Sequence, residues 1–151
     1  MGECVQHLKN INKKDDWQTP KKLYNELDKE FHFTLDPCPV NPNFNGLHIK
    51  WSGSVFCNPP YSQVERWIKK GINEIMEGNV DTVVYLVYAK TDTKWYHNFI
   101  WNNPVLNWEI RFIKGRVKFV NPETKVGSSA PYPSMLLIWE KIKDKRRKLY
   151  T

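Results

Sequence analysis

The apolar positions change period several times along the chain, and each change marks an element. In WQTPKKLYNELDKEF, residues 17–31, Leu23, Leu27 and Phe31 recur every fourth position beside Tyr24. That spacing predicts an amphipathic helix of about three turns. Thr19 can cap it and Pro20 can occupy its first turn. FHFTLD, residues 31–36, reads as a short strand ending at Asp36. The next ten residues, PCPVNPNFNG, carry too much Pro, Asn and Gly for a helix and read as a structured loop. LHIKW (47–51) and SVFC (54–57) are two further short-strand candidates.

A second helix can start at Ser62, with Val64, Trp67, Ile68, Ile72, Ile75 and Met76 on one broad apolar face and Gly78 as its stop. TVVYLVYA (82–89) has no alternation; it is β-branched, aromatic and nearly continuous, the pattern of a strand buried on both faces. TDTKWYHNFIW (91–101) returns to a helical period through Trp95, Phe99 and Ile100, and Asn103-Pro104 ends it. NWEIRFIKGRVKFV (107–120) alternates at Trp108, Ile110 and Phe112, turns at Gly115 and resumes at Val117 and Phe119, which predicts a hairpin. ETKVGSSAPYP reads as a loop and SMLLIWEK (134–141) as a final strand. Strands alternating with helices predict an α/β fold of three layers with a central mixed, mostly parallel sheet. The expected layout is an arm over 1–15, one domain over 16–140 and a basic tail over 141–151.

Composition narrows the classes. A chain of 151 residues with 40% hydrophobic and 14% aromatic positions can pack one full core and is not disordered. Its net charge of +7 favours acidic partners, nucleic acid foremost, and is equally compatible with plain solubility. Cys4, Cys38 and Cys57 have no CxxC spacing, so a reduced, intracellular protein is expected, with Cys57 a small buried strand residue. No apolar run approaches the roughly 18 residues of a membrane helix, and the polar start is neither a signal peptide nor a myristoylation site. No membrane association is expected. The tail KIKDKRRK is either a solvated end or a basic arm for phosphates.

The chemistry concentrates in VFCNPPYS, residues 55–62. Pro59 and Pro60 fix their own dihedrals, hold Asn58 extended and set Tyr61 beyond a rigid loop. Ligands of open α/β sheets bind beyond the carboxyl ends of the strands, so Asp36 and Asn58 share a crevice if their strands are neighbours. A carboxylate, an amide, a fixed carbonyl and a ring suit a planar amine-bearing group such as a nucleobase. The Asn58 side-chain oxygen and the Pro59 carbonyl could accept both N–H bonds of an exocyclic amine and stabilise the charge growing on its nitrogen, while Tyr61 stacks on the base. No metal is required, and His97 has no partner at metal spacing. The competing readings are structural: Asn58-Pro-Pro as a strand terminator, Asp36 as a turn cap, Trp17 as a packing residue and Trp95 and Phe99 as core.

The ordered set Trp17, Thr19 and Pro20; Leu35 and Asp36; Asn58 to Tyr61; Thr91, Asp92, Thr93, Trp95 and His97; and Lys114, Gly115 and Arg116 resembles the phage-type DNA N-6-adenine methyltransferase family. The resemblance covers roughly residues 16–140. It implies a methyltransferase-like Rossmann fold, S-adenosyl-L-methionine as cofactor and transfer of its methyl group to adenine N6 in DNA. It also implies a phage or prophage protein in a bacterial cytoplasm. On this chain it assigns catalysis to Asn58, Pro59, Pro60 and Tyr61, with Asp36 at the cofactor's methionine end and Pro37 and Cys38 in the loop around it. Thr19 and Pro20 would approach the cofactor carboxylate, with Trp17 nearby. The loop after Asp36 lacks the glycines common in the wider class, so Asn41 is expected to share in cofactor binding. Lys90, Lys94, Lys114, Arg116 and Lys118 are the candidate DNA-phosphate contacts, set against the ordinary reading of basic residues as solvent-facing. With no length for a separate target-recognition domain, the enzyme is expected to be a monomer or homodimer, with another subunit possible for target recognition. Methylation of RNA adenine or protein glutamine, and a non-catalytic nucleic-acid-binding subunit, are the alternatives.

Overall fold

The structure, a computed structural model, describes residues 17–141. The arm over 1–15, Cys4 and all but the first residue of the basic tail lie outside the described residues. The described chain runs α1 (Lys21–Phe31), β1 (Gly53–Cys57), α2 (Val64–Glu77) and β2 (Val80–Tyr88). It continues through a π-helix (Tyr96–Trp101) to β3 (Glu109–Phe112), β4 (Lys118–Val120), β5 (Gly127–Ser129) and β6 (Ser134–Glu140).

The main sheet has the order β1-β2-β6-β3. It is mixed: β1 and β2 are parallel, and β6 inserts antiparallel to both β2 and β3. Only one of the three junctions is therefore parallel, although β1, β2 and β3 all point the same way. Alternate residues of the strands feed two apolar clusters. Val55, Cys57, Val83, Tyr85, Val87, Met135 and Leu137 meet Trp67, Ile68 and Ile75 of α2 and Tyr96 and Ile100 of the π-helix. Phe56, Val84, Leu86, Leu136 and Ile138 meet Leu27 and Phe31 of α1 with Val117 and Phe119. β2 lies at the centre, as its uninterrupted apolar run predicts, because each residue must satisfy one cluster or the other. Cys57 is fully buried, as expected of it.

Several local expectations are corrected. Thr19 does not cap α1; Pro20 holds the cap position without a side-chain bond, and its carbonyl accepts the first helical bond from Tyr24 N–H at 3.0 Å. FHFTLD forms no ladder beyond a single parallel bridge between Leu35 and Val55. LHIKW is not a strand: Trp51 is buried because its indole N–H donates to the Gly46 carbonyl at 2.8 Å and its backbone N–H to Glu74 at 3.0 Å. A single 3-10 turn, Tyr61–Gln63, precedes α2, and Met76 is exposed while Glu74 is buried in its place. The 91–101 helix widens into a π-helix from Tyr96. The expected hairpin over 107–120 divides instead, with β3 on β6 and β4 on β5 in a separate two-stranded sheet. Phe112 is consequently exposed, and the predicted loop over 123–133 contains β5.

Candidate active site

Strand direction places the candidate chemistry along one edge. Asp36 follows the bridge at Leu35, Asn58 follows β1, Lys90 lies just beyond β2 and Lys114 just beyond β3. All four are at carboxyl ends of segments running the same way, where ligands of α/β sheets collect. β6 starts at this same edge, since Ser134 pairs with Tyr88.

Two cavities open here. The larger, about 360 Å³, is lined by Trp17, Thr19, Lys21, Tyr24, Asp36, Cys38 and Asn58, with Gln18, Pro39, Val40 and Phe56. The smaller, about 30 Å³, is lined by Trp17, Asn58, Pro59, Tyr61, Tyr88 and Phe119 over a floor of Val64, Leu86 and Val87. Trp17 and Asn58 belong to both, and Asp36 and Asn58 line the larger one together.

Burial pushes the Asp36 carboxyl up to about 6, an effect partly offset by the Cys38 N–H that donates to it at 3.0 Å. The Asn58 amide is held firmly: its Nδ2 donates to the Trp17 carbonyl at 3.2 Å and to Thr19 Oγ1 at 3.1 Å. Because a carbonyl can only accept, this fixes which end of the amide is nitrogen and leaves Oδ1 as the acceptor. Pro59 and Pro60 are buried, whereas Tyr61 is 48% exposed with its ring 5.6 Å from that of Tyr88. Tyr88 in turn packs against Phe119 and Tyr132, and Lys90 Nζ sits 4.0 Å from the Tyr132 ring centroid.

A family profile for DNA N-6-adenine-methyltransferase (Dam) matches residues 6–151. The chain belongs to this family. No curated protein matches the Dam-family chain. Two solved structures resemble it distantly. One is a provisionally assigned RNA methyltransferase of Pyrococcus horikoshii, at 15% identity and TM-score 0.43 over 85% of this chain and 61% of that one. The other is the 23S rRNA methyltransferase ErmE, at 11% identity and TM-score 0.38 over 88% and 56%. The chain thus spans 61% and 56% of the length of these two structures.

Of the cofactor residues expected from sequence, Trp17, Thr19, Asp36 and Cys38 line the larger cavity of this Dam-family chain, and Pro20, Pro37 and Asn41 do not. Pro20 is committed to the start of α1. Pro37 is buried against Gly46, where an added Cβ would lie 1.8 Å from the Pro37 carbonyl oxygen. Asn41 is exposed in a left-handed turn at φ 50°. Lys21 and Tyr24 were missed. Their position one turn apart at the start of α1 was the available signal, obscured because Tyr24 also extends the apolar stripe. Tyr88 was missed as well, although it ends the central strand at the ligand-binding edge. Among the expected phosphate contacts, Lys94, Lys114, Arg116 and Lys118 are exposed and Lys90 is half-buried under its aromatic neighbour. Among the described residues there is no cluster of His, Cys, Asp or Glu able to hold a metal ion, and no helix long and apolar enough to cross a membrane.

Proposed function

We propose that the protein transfers a methyl group from S-adenosylmethionine to the N6 amino group of adenine in DNA, through residues 16–140 acting as one catalytic domain with a three-layer methyltransferase-like Rossmann architecture. The observation that carries this reading is the oriented Asn58 amide between two cavities of different character. When bound, the cofactor supplies an electrophilic methyl group.

The larger cavity fits that group chemically. Its volume falls in the range of small-molecule sites, and the cofactor's methionine end carries an ammonium and a carboxylate. Asp36 offers a desolvated acceptor to the ammonium, and Lys21 a cation for the carboxylate. Thr19 and Trp17 line the same cavity and bond to Asn58. Tyr24 and Phe56 supply apolar surface for the flat remainder.

Asn58 Oδ1 and the Pro59 carbonyl accept the two N–H bonds of the adenine amine. As positive charge grows on that nitrogen, both contacts strengthen, and the excess proton passes to water after transfer. Tyr61, backed by Tyr88, offers its face to the base. A base in duplex DNA must leave the stack before it can reach this edge. Lys90, Lys94, Lys114, Arg116 and Lys118 contact phosphate and set the position of the strand. The site of action is the cytoplasm of a bacterial host.

Mass spectrometry of nucleosides digested from DNA incubated with protein and labelled cofactor tests the assignment. The expected product is labelled N6-methyladenine without added metal. Label found only on RNA, on cytosine or on protein overturns it.

A further inference from the structure

We infer that Thr19 is a positioning residue that sets the orientation of the Asn58 amide, and that its principal part in catalysis is this bond, with cofactor binding secondary. The inference rests on the function proposed above and adds a residue role to the same site.

Segment 17–19 is held from two sides. Gln18 pairs in both directions with Val120 of β4: its N–H donates to Val120 O at 2.9 Å, and Val120 N–H donates back at 3.0 Å. In extended backbone, neighbouring residues turn their carbonyls to opposite edges. Trp17 O therefore faces away from β4, and it is there that Asn58 Nδ2 reaches it at 3.2 Å. Thr19 Oγ1 takes the second N–H of the same nitrogen at 3.1 Å. Both donors of one amide are then spent on a segment locked into a separate sheet, 39 and 41 residues away in sequence.

Each acceptor has a distinct consequence. The Trp17 carbonyl determines which end of the amide is nitrogen. With that bond alone the amide can still rock about its long axis. The Thr19 hydroxyl removes this freedom, so Oδ1 keeps one direction while it waits for the substrate amine. A preoriented acceptor is worth more at the transition state than one that must reorganise as charge develops. Thr19 also lines the larger cavity, so a test must separate any part in cofactor binding from positioning.

Thr19→Val preserves shape and removes the acceptor; Thr19→Ser restores it. In single-turnover assays with saturating cofactor and DNA, Thr19→Val is expected to lower the transfer rate about tenfold, while cofactor affinity by calorimetry stays within about twofold. Thr19→Ser should recover most of the rate. In an Asn58→Ala background the Thr19→Val effect should vanish, because the bond it breaks is already gone. Independently of activity, the Asn58 side-chain NH₂ resonances, assigned by comparison with Asn58→Asp, should shift in Thr19→Val and lose protection from exchange with water.

A Thr19→Val protein that transfers at the wild-type rate overturns the inference. So does a rate loss undiminished in the Asn58→Ala background, or a defect confined to cofactor affinity. Unmoved Asn58 amide resonances overturn it without reference to turnover. A wild-type protein that methylates no DNA adenine would defeat the functional assignment and leave the spectroscopic result to decide the Thr19–Asn58 bond on its own.

Discussion

Asp36→Asn should make the cofactor-free protein more stable while weakening its grip on S-adenosylmethionine. Burial raises the Asp36 carboxyl from 3.8 to about 6, so ionising it is harder in the folded chain than in the unfolded one. Below about pH 3 the group is neutral in both states and makes no difference. As pH rises from 3.8 toward 6, the unfolded chain releases a proton that the folded chain retains, and stability falls. Above 6 the full cost is present. A gap of about two units corresponds to about 3 kcal/mol, and the partial exposure of Asp36 reduces this to about 1–3 kcal/mol. Asparagine keeps an oxygen for the Cys38 N–H and removes the charge. Urea unfolding without cofactor should therefore show the variant more stable than wild type by that amount at pH 8, and nearly equal to it at pH 3. Calorimetry should show about 10- to 100-fold weaker cofactor binding, since the ammonium loses its charged partner. Equal unfolding midpoints at pH 8, or a less stable variant, would refute the claim that Asp36 is held ionised at a cost to the fold.

Asn58→Ala should cut the single-turnover transfer rate by about 10² to 10³, with cofactor affinity nearly unchanged; transfer at the wild-type rate by a folded variant would reduce Asn58 to architecture. Tyr61→Ala should slow transfer by misplacing the base, whereas Tyr61→Phe retains the stacking face and should be much milder; equal defects in the same assay would point to the hydroxyl. Gly46→Ala should destabilise the fold by about 1–3 kcal/mol in urea, because its Cβ would sit 1.8 Å from the Pro37 carbonyl oxygen and force the 37–46 loop apart. An unchanged midpoint would mean that this loop yields easily.

The parts legible in sequence are those whose signal is local. β2 stands out because a strand covered on both faces admits no polar residue along most of its length. α1 and α2 show their helical stripes, and Asp36 and Asn58 could be placed in one crevice because each ends an apolar segment. β5 was invisible for the opposite reason: Gly127, Ser128 and Ser129 are exposed, so no burial pattern marks them, and their partner is defined only in three dimensions. Trp51 misled because its burial comes from an indole bond and a buried glutamate, neither of which has a period. The role of Thr19 was hidden similarly. A threonine before a proline at a helix start reads locally as a cap, and only the return of the chain at Asn58 shows what its hydroxyl meets.

The insertion of β6 between β2 and β3 sets the order of assembly during translation. Asp36, Asn58 and the whole of β2 leave the ribosome long before Ser134–Glu140 is synthesised, yet until then β2 keeps one bare edge and β3 has no strand to pair with. The catalytic pieces are made early and the frame that holds them is closed late, through a contact between distant parts of the chain. Closure of this kind is slow compared with local folding, and an unpaired apolar strand is open to association with other chains. A nascent chain halted before residue 134 therefore carries every residue proposed to touch substrate and still lacks the strand that joins the two halves of its sheet.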